Sequence, residues 1–184
     1  MMKNTLLLGM TIFLALSAGC AGPRYAMAPS QEGNTVVYAQ QETGQKVVID
    51  IDPAFSYEGE TYRNREGVRI AGYVFSGKPG KIFVTRLLVS EFEKITDLDV
   101  QEMKEPVREF PPETIYNEIY CDLVRAQAVA MGDEIVLVAF KKKLLDEGIT
   151  CEAIDSLDSF SSRHPDVLKT FNETGDRSIQ MRVQ

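Results

Sequence analysis

Few side chains in this chain are of a type and spacing that do chemistry. The three cysteines, Cys20, Cys121 and Cys151, are the most reactive groups, and His164 is the single histidine. A serine nucleophile needs a base to take its proton. His164 is the one imidazole on offer, and no Gly-x-Ser-x-Gly elbow is present. A Ser–Lys dyad stays open, with no spacing that marks one. Asp50 and Asp52, and again Asp97 and Asp99, stand two residues apart. That spacing places both carboxylates on one face of a strand, where they would hold Ca²⁺ or act as acid and base. Without an EF-hand loop or a convergent third ligand, solvent-facing acids at a strand end are the simpler reading. Asp146-Glu147 and Asp155/Asp158 are weaker versions of the same pattern. No Gly-rich phosphate loop occurs. The expectation is therefore no catalytic set, no metal-ligand set and no cofactor.

Two features point to contact rather than catalysis. Phe55, Tyr57 and Tyr62 cluster around Glu58-Gly59, which reads as a turn. Tyrosines at a loop tip offer area and a hydroxyl at low entropy cost, so Tyr57 and Tyr62 are candidate contacts for a sugar, peptide or protein. The alternative is that they cap the end of a sheet. Lys141–Lys143 is the one basic cluster, and three lysines at a strand end read first as a solvated terminus. The chain carries 20 Lys+Arg against 27 Asp+Glu, a net charge of −7, which lacks the electrostatic footprint of a nucleic-acid binder.

The elements that must position these residues are mostly strands. Runs rich in β-branched and aromatic residues predict strands at Thr35–Ala39, Gln45–Ile51, Val68–Phe75, Lys81–Val89, Tyr120–Ala130, Glu134–Lys142 and Ser178–Val183. Glu42-Thr43-Gly44 and Ser76–Gly80 read as turns between antiparallel neighbours. Gly132-Asp133 suits a two-residue type II′ turn. That turn pairs Ala130 with Ile135, Ala128 with Leu137 and Ala126 with Ala139 on one face. On the other it pairs Val129 with Val136, Gln127 with Val138 and Arg125 with Phe140. The alanine row leaves room for a packed helix or sheet, or else makes the floor of a pocket. A helix is expected at Pro165–Asn172, with Pro165 in its first turn, Asp166 at its positive end and Gly175 as its stop. Weaker helices are read at Pro112–Ile119 or Ala153–Phe160. His164-Pro165-Asp166 spells the tripeptide of J-domain co-chaperones, but without long flanking helices it reads as the start of this helix. The fold expected for 34–184 is a single α+β domain, a mainly antiparallel sheet with one or two short helices. An all-β sandwich is the alternative.

The first residues read as an export signal. Lys3 supplies a positive start, and Leu6–Leu16 is an uncharged apolar run of 11 residues. A membrane-spanning helix needs about 20. Ser17, Ala18, Gly19 and Cys20 follow. Leu16-Ser17-Ala18-Gly19-Cys20 resembles the lipobox of bacterial lipoprotein precursors, with Ser17 at the place that family usually gives to Leu. The resemblance implies cleavage between Gly19 and Cys20 and acyl chains on Cys20. Each buried methylene contributes about 0.8 kcal/mol and a single chain binds only marginally, whereas two or three chains hold firmly. Residues 1–19 would then be the signal peptide. Residues 20–33, rich in Ala, Gly and Pro, would be the lipidated cysteine and a flexible tether. Residues 34–184 would be a periplasmic domain. Ala21 after the cysteine implies the outer membrane, with the domain facing the periplasm and an envelope protein or glycan as its possible partner. In that oxidising compartment Cys121 and Cys151 form a disulfide by default, two unpaired buried thiols being the alternative.

Overall fold

The computed structural model describes residues 34–40, 44–65, 67–95, 107–152 and 154–184. Gly19, Cys20, the 20–33 tether, Asp97 and Asp99 lie outside the described residues.

In chain order the first strands are β1 (Thr35–Ala39), β2 (Lys46–Ile51), β3 (Phe55–Arg65), β4 (Val68–Gly77) and β5 (Gly80–Leu88), followed by helix α1 (Val89–Ile95). Then come β6 (Val107–Asn117), β7 (Asp122–Met131), β8 (Glu134–Lys143), a 3₁₀ turn (Leu144–Glu147), α2 (Leu157–Arg163), α3 (Pro165–Ser178) and β9 (Ile179–Val183). The described residues are mostly antiparallel sheet. A three-stranded sheet runs β1-β2-β9, and a six-stranded sheet runs β3-β4-β5-β8-β7-β6. Ile135–Phe140 is apolar on both faces because β8 lies inside the six-stranded sheet, between β5 and β7.

The β7–β8 hairpin has the register that its turn dictates. Met131 faces Glu134, Ala128 faces Leu137, and Arg125 faces Phe140. Gly132 supplies the positive φ, 59°, and Asp133 stays negative, the sign pattern of a II′ turn. One face of this hairpin joins Phe75, Ile82 and Val84 of the large sheet to Val36, Val47 and Ile49 of the small one in the main core. Phe171 of α3 stacks on Phe140 at 5.0 Å between ring centroids. The alanine face forms a second cluster, where Phe92 of α1 and Leu87 pack with Ala128, Ala130 and Ile135. At Ala128 and Ala130 the alanines make room for a helix.

Four expectations are corrected. Pro112–Ile119 is not a helix: Pro112–Asn117 is the end of β6, and Glu118 and Ile119 open the turn that follows. Pro111 and Pro112 sit where the register slips between Phe110 and Glu113 on an edge strand, the place where a missing N–H costs no ladder bond. Gly175 does not end α3, which continues to Ser178, because Gly175 is buried against Arg125 and Phe140. The second helix begins at Leu157, where the Ser156 hydroxyl accepts from the Ser159 N–H as an N-cap. Val89 starts a helix rather than ending a strand.

Candidate functional site

Tyr57 and Tyr62 lie on β3, an edge strand, and not at a loop tip. Five residues apart, they would point to opposite faces of a regular strand. The register of β3 on β4 slips between Tyr57, opposite Phe75, and Gly59, opposite Val74. This bulge inserts one residue and changes the parity. Glu58-Gly59 is thus a bulge rather than a turn, and Gly59 accommodates it at φ 132°. As a result Tyr57, Glu60 and Tyr62 share one face with Arg69, Tyr73 and Phe75.

On that face the Tyr57 ring leans on Phe75 and Tyr73, with centroids 5.4 and 6.1 Å away. The Arg69 guanidinium lies 4.6 Å over the Tyr62 ring. The Tyr62 hydroxyl donates to Glu60 at 2.7 Å. That hydrogen bond, and then the carboxylate charge, push the Tyr62 phenol above the ordinary tyrosine value. Loss of water contact and then Glu60 do the same to Tyr57. All three tyrosines are thus neutral donors over the ordinary pH range, since burial and then Glu60 also raise Tyr73. The Tyr73 hydroxyl is buried beneath them with no hydrogen-bond partner among the described residues. Tyr57 and Tyr62 remain exposed, so the face offers two aromatic rings flanked by one carboxylate and one guanidinium.

Cys121 and Cys151 are joined by a disulfide, with Cα atoms 5.7 Å apart. Asp50 and Asp52 do not form a pair: Asp50 accepts from Thr35 and meets Arg182, while Asp52 caps the turn at the Ala54 N–H. His164 ends α2 beside Phe160 and begins α3. The lysine run splits by strand alternation. Lys142 pairs with Glu147 at the rim of a cleft of about 210 Å³ under α3. Lys141 and Lys143 point to the other face, beside Lys81 and Phe83, in a groove of about 510 Å³. Lys141 is paired with the wholly buried Asp122, and Lys81 with Glu58. Sequence reasoning missed Asp122, Arg86 and Glu134. The last two form a buried ion pair at 3.3 Å between β5 and β8. Only the inward parity of Arg86 and Glu134 within apolar strands signals it.

Among the described residues no group of three or more His, Cys, Asp or Glu is placed to hold a metal ion, and no helix is long and apolar enough to cross a membrane. No protein-family model, curated protein or solved structure matches this chain.

Proposed function

We propose that the chain is a lipoprotein of a bacterial cell envelope, anchored by acyl chains on Cys20 and presenting residues 34–184 as one α+β domain that acts as a non-enzymatic structural or interaction module. The observation that carries this reading is Leu16–Cys20 directly behind an uncharged apolar run. The Cys121–Cys151 bridge supports an oxidising compartment. Ala21 supports the outer membrane, with the domain facing the periplasm. The test is expression in a bacterium fed labelled palmitate. The wild type takes up label and fractionates with membranes, and Cys20→Ala does neither. An unlabelled wild type, or a processed product that starts at a residue other than Cys20, refutes the reading.

A second reading is a binder of a glycan, peptide or small molecule through Tyr57 and Tyr62. It is favoured by the bulge that brings both rings to one face beside Glu60 and Arg69. Titration calorimetry with soluble muropeptides tests it. Heat lost in Tyr57→Ala/Tyr62→Ala supports it, and no heat with the wild type counts against it.

A further inference from the structure

The β6–β7 turn, residues 118–121, is unusual for what it exposes. Tight turns favour Gly, Pro, Asn, Asp and Ser. Here Ile119 is 86% exposed and Tyr120 65% exposed. Leu145, on the 3₁₀ turn, is 59% exposed. These side chains share one end of the molecule, because the Leu144 N–H donates to the Cys121 carbonyl at 2.9 Å. The Cys121–Cys151 bridge fixes the base of the tip, which keeps Ile119 and Tyr120 projecting instead of turning inward.

The same end is where the chain leaves for its N-terminus. The Asn34 carbonyl accepts from Ile51 at 2.8 Å, and its side chain donates to Phe55. Phe55 faces Gly77 in the β4–β5 turn, Lys81 faces Lys141, and Lys143 faces Asp122 at the foot of β7. β3, β4, β5, β8 and β7 are successive neighbours, so Asn34 and the apolar tip sit on one rim, about 19 Å apart at the spacing of adjacent strands. Residues 21–33 separate Asn34 from Cys20 and reach at most about 50 Å when extended.

We infer that Ile119, Tyr120 and Leu145 form a seat on the lipid bilayer, so that the domain stands on the membrane with this rim down. This rests on the anchor at Cys20 proposed above. Apolar and aromatic tips settle at the headgroup–acyl boundary, where a ring keeps its hydroxyl wet. Lys141 lies 5.4 Å from the Tyr120 ring centroid, and its charge is already met by the buried Asp122, so it adds no net charge to the rim. Exposed Lys78 and Lys143 are balanced by exposed Glu118 and Asp146. The contact is therefore apolar in character and is expected to survive high salt.

The chain contains no tryptophan, so one introduced indole reports alone. The full chain, purified from bacterial membranes as Tyr120→Trp or Tyr62→Trp, is reconstituted into phosphatidylethanolamine–phosphatidylglycerol vesicles with and without brominated acyl chains. Tyr62 is also exposed, but it lies toward the opposite end of β3, opposite Ala71. Expected are a blue shift and loss of most emission for Trp at 120, unchanged in high salt, and neither change for Trp at 62. Co-flotation with vesicles but no quenching at 120, or equal quenching at both positions, overturns the seat and leaves the anchor standing. Failure of either protein to float with vesicles overturns the anchor itself. Circular dichroism of both variants, matched to wild type, excludes misfolding as the source of any result.

Discussion

Replacing Cys121 and Cys151 tests the strongest covalent feature of the fold. The bridge closes a span of 30 residues. The loop-entropy relation for that span gives about 3.6 kcal/mol of stabilisation through the unfolded chain. A second effect acts at Cys121, whose φ of 52° makes it the single non-glycine residue with a positive φ among the described residues. An alanine there retains a backbone cost of about 1 kcal/mol, which a glycine escapes. Cys121→Ala/Cys151→Ala should therefore lose about 3.6 kcal/mol, and Cys121→Gly/Cys151→Ala about 1 kcal/mol less. For a chain of this size 1 kcal/mol moves Tm by about 2–4 °C, so the Ala pair should melt about 7–14 °C below the oxidised wild type. Thermal and urea melts followed by far-UV circular dichroism measure both differences, with reduced wild type alongside. An Ala pair that melts within about 2 °C of oxidised wild type would falsify the loop-entropy reasoning. A Gly variant that melts below the Ala variant would sink the backbone term.

Three further outcomes follow from named contacts. Tyr38 is buried between the sheets; loss of water, and then the neighbouring Tyr73, raise its pKa far above the ordinary tyrosine value. The folded state thus holds the neutral phenol, so stability is intact below about pH 10 and falls above it by up to about 1.4 kcal/mol per pH unit. Urea midpoints between pH 9 and 11 should drop more shallowly in Tyr38→Phe, and identical slopes would remove Tyr38 as the cause. A Cβ at Gly175 would meet the Arg125 Cδ at 2.9 Å and the Phe140 ring at 3.1 Å. Arg125 is held by both oxygens of Asp176, at 2.7 and 3.0 Å, so Gly175→Ala should cost about 1–3 kcal/mol despite alanine's better helix propensity. A denaturant midpoint at or above wild type contradicts that. Gly59→Val forces a β-branched residue into φ 132° and should remove the bulge or cost about 1–3 kcal/mol. Amide NMR shifts confined to residue 59, with β3 otherwise unmoved, would show that the bulge does not depend on glycine.

What could be read ahead of the structure follows the reach of each local signal. β1 and the whole β7–β8 register were legible because a two-residue turn fixes parity for every residue beyond it. β3 and β6 were not. Each is interrupted by an irregularity whose residues, Glu58-Gly59 and Pro111-Pro112, have turn or helix-start chemistry when seen without a partner strand. The site suffered for the same reason. Tyr57 and Tyr62 could be named as contacts, but their common face depends on a bulge that only pairing with β4 reveals. The disulfide was legible by counting cysteines. The Arg86–Glu134 pair was not, since two charges 48 positions apart meet only once β5 lies against β8.

The small sheet places a condition on the order of events during biosynthesis. β2 has β1 on one side and β9 on the other, Ile51 against Ile179 and Val47 against Val183. Until residues 179–183 have been made, β2 keeps a naked flank and one wall of the main core is missing. A chain that emerges amino end first therefore cannot complete this core until residues 179–183 have emerged and reached β2.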